Sequence, residues 1–211
     1  MLPELNSRWK KLKYLIVTLQ WVGFALIHSL LIDLRFSNWV SRVMGRYYPY
    51  YRLIYNMLSL ILLITLLNYS RSADTQLVLQ FVPPWTILQY SLFIASGLLI
   101  IWAFLSYDTL EFIGIRQILG VRPRKGNTAP TTITNKGLLG VVRHPMYLGT
   151  LVFMWSLNST RVDILVHLVL TLYILIGIKI EERKLIKQFG SAYIDYQREV
   201  PALIPFTKKV G

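Results

Sequence analysis

The sequence predicts an all-α integral membrane protein of about five transmembrane helices, a single polytopic domain over residues 1–211. Three observations predict it: hydrophobic residues make up 54% of the chain, they gather into long uncharged runs, and basic residues bracket those runs. Uncharged runs extend from Tyr14 to Ile32, from Leu53 to Ser70 and from Leu77 to Tyr107, with shorter ones from Pro145 to Thr160 and from Ile164 to Ile178. A bilayer core about 30 Å thick requires about 20 helical residues. The first three runs therefore form an N-terminal three-helix part, residues 1–110, and the two short ones form a helical hairpin within residues 111–211.

The first run follows a basic start, as a secretory leader would. Its length and the lack of a small-residue cleavage site predict a retained first span. The connection "DLRFSNWVSRVMGRYYPYYRL" mixes Trp and Tyr with Arg, the composition of an interfacial segment with an aromatic belt. The connection "EFIGIRQILGVRPRKGNTAPTTITNKG" has no helical period and its Gly, Pro, Thr and Asn mark it as a long binding loop. After the hairpin, Leu185, Phe189, Ala192, Tyr193 and Tyr196 lie on one side of an amphipathic helix that stops at the prolines of "VPALIP".

Alternating the connections across five spans places 17 Lys and Arg on one side and 6 on the other. Positive charge marks the cytoplasmic face, so the long loop and the C-terminus are expected there. The net charge of +13 is scattered around the spans rather than drawn into one stripe, which speaks for a bilayer partner and against nucleic acid. The absence of cysteine excludes disulfides and thiolate chemistry by the protein itself. His28, His144 and His167 lie in separate segments, so no metal site is predicted, and no glycine-rich phosphate loop occurs.

Chemistry must then come from polar groups at the ends of apolar helices. Pro145 suits the first position of a helix, which puts Arg143 and His144 beside free N–H groups that favour an anion; the same two residues would also serve as a membrane-boundary marker. Glu181 and Glu182 sit at the end of the last apolar run, where charge is unfavourable unless paired, hydrated or functional. Gly177, Glu181, Leu185 and Phe189 recur at steps of four, so Glu181 shares the packing face while Glu182 lies about 100° away. A salt-bridged helix end with the neighbouring Lys and Arg is the plainer reading of this pair. His28, in "FALIHSLLID", needs a hydrogen-bond partner at membrane depth, either a neighbouring helix or a substrate.

These residues carry a family resemblance. "GLLGVVRHPMYLG" followed by "EERKLIKQFGSAYIDYQREVPALIP" resembles the C-terminal motif of the isoprenylcysteine carboxyl methyltransferase and phospholipid methyltransferase superfamily of membrane enzymes, over Thr131 to Phe206. "HSLLIDLRFSNWVSRVMGRYYPYYRLIYNMLSL" is similar to the bacterial branch that includes methanethiol S-methyltransferases and NnrU-like membrane proteins. The resemblance implies S-adenosylmethionine as cofactor, with contacts from His144, Pro145, Met146, Tyr147 and Glu181. It also implies contacts from the stretch Thr131 to Thr134, which includes Ile133, with Arg143 beside them. It further implies a methyl acceptor, and two departures narrow it. Leu139 and Gly177 stand where the prenylcysteine branch has an aromatic residue and an arginine, so a small thiol or other apolar nucleophile is expected instead. No base is assigned, with His28 the candidate for it. An NADPH-dependent reductase of related fold and a non-catalytic membrane component of a redox system remain alternative readings.

Overall fold

The computed structural model describes residues 2–106, 108–120, 133 and 137–207. Helix α1 spans Leu2–Ile32 and ends at Asp33, whose carboxylate accepts from the Arg35 and Phe36 backbone N–H groups at 2.9 and 3.3 Å and so caps α2, Leu34–Met44. A short 3₁₀ helix, Gly45–Tyr50, leads into α3, Tyr51–Ala73. The expected interfacial segment is thus helical, with the polar side chains of α2 on one face and Leu34, Trp39 and Val43 exposed.

The run beginning at Leu77 departs from expectation. Its first residues, Leu77–Leu79, form a short strand, β1, paired antiparallel with β2, Ser159–Thr160, and α4 begins only at Trp85 and ends at Ser106. Pro83 and Pro84 explain the late start, since neither has an N–H for a helix and each disfavours helical geometry in the residue before it. Two short helices follow, α5 at Thr109–Ile113 and α6 at Ile115–Ile118. Then come α7 at Pro145–Trp155, α8 at Arg161–Phe189 and α9 at Ser191–Glu199. The amphipathic tail is therefore divided between the end of α8 and the separate α9.

Among the described residues, four stretches are long and apolar enough to cross a membrane: Lys11–Ile32, Leu34–Ala73, Trp85–Ser106 and Arg161–Phe189. The chain is accordingly a largely helical, multi-pass membrane protein. The fifth expected span, α7, has 11 helical residues, which reach about 16 Å, roughly half of the hydrocarbon core.

The chain forms two compact units. The first comprises residues 1–81, 110–120 and 158–173, and the second residues 82–109, 121–157 and 174–211, so α4 falls with the C-terminal elements rather than with the first two spans. In the first unit Val17, Trp21, Val162 and Val166 are buried against Tyr14, Phe24, Leu63 and Leu66. Neutral polar pairs cross between its helices: Trp21 Nε1 donates to Ser70 Oγ at 2.9 Å, and His28 Nδ1 lies 3.0 Å from Ser59 Oγ. In the second unit α7 packs along α4. A Cβ at Gly149 would lie 2.8 Å from Ile100 Cγ1 and 3.3 Å from the Ser96 carbonyl, so only glycine allows this approach. The Phe93 and Phe153 rings seal the same contact with centroids 4.7 Å apart.

Candidate functional site

The site is built at the start of α7. Pro145 occupies the first turn, where its missing N–H is no loss, and His144 precedes it with no side chain capping the helix. The segment after α9 lies alongside: the Arg143 N–H donates to the Pro201 carbonyl at 2.9 Å and the His144 N–H to the Ala202 carbonyl at 3.1 Å. Tyr193, Tyr196 and Val200 form a small buried cluster with Leu185, Ile186 and Phe189. The Tyr196 hydroxyl donates to the Leu139 carbonyl at 2.6 Å, which fixes the turn before the motif.

Arg143 is buried, with 6% of its surface exposed, and its guanidinium joins three acceptors. Nε and Nη2 approach Glu182 Oε1 at 2.7 and 2.6 Å, while Nη1 donates to the Gln197 carbonyl at 3.1 Å and to that of Val200. Glu182 completes the cluster: His144 Nε2 lies 3.3 Å from its Oε1, and Gln197 Nε2 donates to its Oε2 at 2.8 Å. Arg143 thus faces inward, joining α8 to the tail, rather than standing open to an anion.

Glu181 is arranged differently. Its side chain is 46% exposed against 16% for Glu182. It accepts from the Tyr147 hydroxyl at 3.1 Å and lies 3.9 Å from His144 Nδ1. The His144 and Tyr147 rings are 5.5 Å apart, so imidazole, phenol and carboxylate line one edge of the site. Arg143 neutralises Glu182, which leaves Glu181 as the carboxylate in excess. Burial, and next the negative charge of Glu182, push the Tyr193 phenol above its ordinary range, so it stays a neutral packing group.

The structure therefore brings together Arg143, His144, Pro145, Tyr147 and Glu181, with Met146 in the same helical turn. Ile133 packs on the Tyr193–Tyr196–Val200 cluster. Thr134 lies outside the described residues. His28 belongs to the first unit, where it stacks on Phe24 and meets Ser59. Sequence reasoning ranked Glu182 below Glu181 and did not single out Gln197. The signal for Glu182 was present: Ile174 and Ile178 are buried, Ile186 packs on the tyrosine cluster, and Glu182 falls in register between them at steps of four. Gln197 had no comparable signal.

With this geometry in view, the chain belongs to the NnrU protein family, which it matches over residues 16–204. It is 30% identical over 188 residues to methanethiol S-methyltransferase 1 of Bradyrhizobium diazoefficiens, an alignment that covers 89% of this chain and 65% of that protein. It is also 30% identical to the methanethiol S-methyltransferases of Crocosphaera subtropica, covering 88% and 72% of the two chains, and of Pseudomonas deceptionensis, covering 88% and 70%. The chain thus spans just under two thirds of the first of these relatives and somewhat more of the others. No solved structure matches it.

Proposed function

We propose that the chain is a membrane-embedded, S-adenosylmethionine-dependent methyltransferase acting on a small thiol of the methanethiol type. The observation that carries this reading is the half-exposed Tyr147–Glu181 pair beside His144, in a chain 30% identical to enzymes named for that reaction. The donor set fits the cofactor by charge. The site holds one carboxylate in excess, and the amino-acid end of S-adenosylmethionine has an ammonium and a sulfonium against a single carboxylate.

In this reading Glu181 accepts from the ammonium or a ribose hydroxyl, a charge-assisted bond. The uncapped N–H groups at the start of α7 and the His144 ring receive the carboxylate. The Tyr147 ring offers its face to positive charge. Pro145 and Met146 shape the first turn, Ile133 packs on the tyrosine cluster from the preceding connection, and Thr134, outside the described residues, is assigned to the cofactor by the family resemblance. Arg143 is a positioning residue, which holds Glu182 and the tail so that His144 and Glu181 keep their places. When bound, the cofactor would supply an electrophilic methyl group to an acceptor already present as its thiolate, with S-adenosylhomocysteine as the leaving group. What the protein adds is alignment and exclusion of water.

Chain geometry supports the hairpin and the fifth crossing. Between Arg161 and Glu182, α8 rises by about 32 Å. His144 touches Glu182, so residues 145–160 have to cover the same distance in return. The helical residues of α7 supply about 16 Å, the turned residues Ser156 and Leu157 about 3 Å more, and residues 158–160, if extended, about 10 Å. With five crossings, the basic long loop and tail share one side, and their charge favours the cytoplasmic face for the site and the C-terminus.

Calorimetric titration of the detergent-purified protein with S-adenosylhomocysteine tests the reading. Wild type should bind saturably, and Glu181→Gln should bind at least about tenfold more weakly, the equivalent of about 1.4 kcal/mol, and lose methyl transfer to methanethiol. Equal binding by the variant would remove Glu181 from the site. A folded wild type that bound NADPH instead would replace the transferase reading with the reductase one.

A further inference from the structure

We infer a second ligand site in the first unit, for an amphiphile with a phosphate head, anchored by Arg52. A cavity of about 540 Å³ lies among the end of α1, the start of α2, the 3₁₀ helix, the start of α3 and the α5–α6 segment. Its walls include Leu31, Leu34, Tyr51, Arg52, Tyr55 and Glu111. This volume falls within the range of small-molecule sites, about 300–1,000 Å³. None of the residues assigned to methyl transfer lines it, so the inference stands apart from that reading.

The cavity has a fixed frame. The Tyr51 hydroxyl donates to the Leu31 carbonyl at 2.8 Å, and the Ser37 and Tyr48 hydroxyls are 2.7 Å apart. Asn56 Nδ2 donates to the Phe112 and Ile113 carbonyls at 3.1 and 3.0 Å, which fastens the α5–α6 segment to α3. Gly114 makes that fastening possible: its φ is +102°, and a Cβ there would lie 2.7 Å from the Leu53 nitrogen. These bonds tie the walls to one another and leave the space between them open.

Arg52 gives the cavity its chemistry. Nη1 donates to the Glu111 carbonyl at 2.8 Å, and the Glu111 carboxylate stands at 3.9 Å, too far for a hydrogen bond. Among the described residues, Nε and Nη2 have no protein partner, and the side chain is 40% exposed. A guanidinium held by one nitrogen with its other donors open is suited to the tetrahedral oxygens of a phosphate. The surrounding segment strengthens the preference for an anion, because residues 33–53 carry Arg35, Arg42, Arg46 and Arg52 against a single acid, Asp33, which is engaged in capping α2.

The position of the cavity selects an amphiphile. It lies where the span Lys11–Ile32 ends, beside an amphipathic helix whose Leu34, Trp39 and Val43 are exposed, the depth at which lipid headgroups meet acyl chains. Leu31, Ile32 and Leu34 supply an apolar wall next to the guanidinium. A phospholipid headgroup satisfies both features. A water-soluble phosphate ester would satisfy only the first.

Native mass spectrometry of the full chain in mild detergent tests this, with dioleoylphosphatidylglycerol, dioleoylglycerol and inorganic phosphate as probes. The phospholipid should bind saturably with one copy per chain, and dioleoylglycerol should not bind. Arg52→Gln should weaken phospholipid binding at least tenfold. Arg52 also braces Glu111, so Leu31→Trp provides a second variant, which fills the cavity without touching the guanidinium and should abolish binding. Thermal unfolding identifies any variant that has lost its fold. Glu181→Gln should bind the phospholipid as wild type does, which separates this site from the one on α7. Equal binding of dioleoylglycerol, wild-type binding by both folded cavity variants, or full displacement by millimolar inorganic phosphate would each overturn the assignment.

Discussion

In the apolar interior of the first unit two neutral polar pairs cross between helices, Trp21 with Ser70 and His28 with Ser59, beside a frame of Val, Leu and Phe. In the second unit a buried guanidinium joins two carbonyls and a carboxylate, and that carboxylate in turn meets His144 and Gln197. The first arrangement spreads stability over many separable contacts. The second concentrates it, because each member of the cluster satisfies another that would otherwise be buried without a partner. A transmembrane scaffold tolerates the loss of one hydrogen bond better than the buried cluster at the helix end tolerates the loss of Arg143.

The sharpest way to break this contrast is Arg143→Ala. It leaves Glu182 with His144 and Gln197 alone and frees two carbonyls, and removing one partner of a buried ion pair destabilises by about 3 to 5 kcal/mol. Denaturant titration in mixed micelles should register that loss, with S-adenosylhomocysteine binding abolished; a small effect on both would mean that the cluster is not a unit. Gly149→Ala is intermediate. Its methyl group would press on Ile100 and the Ser96 carbonyl, overpacking that is unfavourable by about 1 to 3 kcal/mol, and the same titration would show it. The smallest effect belongs to Trp21→Phe. It removes the donor to Ser70, and hydrogen bonds between membrane helices average about 0.6 kcal/mol. A loss as large as that of Arg143→Ala would erase the distinction between the units.

The four long spans were legible because apolar length is written directly in the side chains. The start of α7 was legible too, through Pro145 following Arg143 and His144. What stayed hidden has a common cause. The pairing of Leu77–Leu79 with Ser159–Thr160, and the bonds from Arg143 and His144 to Pro201 and Ala202, run through backbone atoms that every residue shares. Glu181 and Glu182 were ranked by a face drawn through Gly177 and Phe189. The face drawn through Ile174, Ile178 and Ile186 contains Glu182, and it is the one the helix buries. Two faces of one helix both looked apolar, since a membrane helix is apolar nearly all round.

The clasp between Arg143 and Val200 joins residues 57 positions apart. Contacts of such separation form only after the intervening chain has been ordered, because closing a long loop sacrifices entropy before any contact repays it. Helices α7 and α8 can each form from local contacts, but the cluster of Arg143, His144 and Glu182 is not complete until the segment around Val200 folds back onto Arg143. The order of events then runs from insertion to clasping to ligand binding, and under stress it reverses. If the proposed cofactor site is correct, its ligand binding should therefore vanish while the helices are still in the membrane.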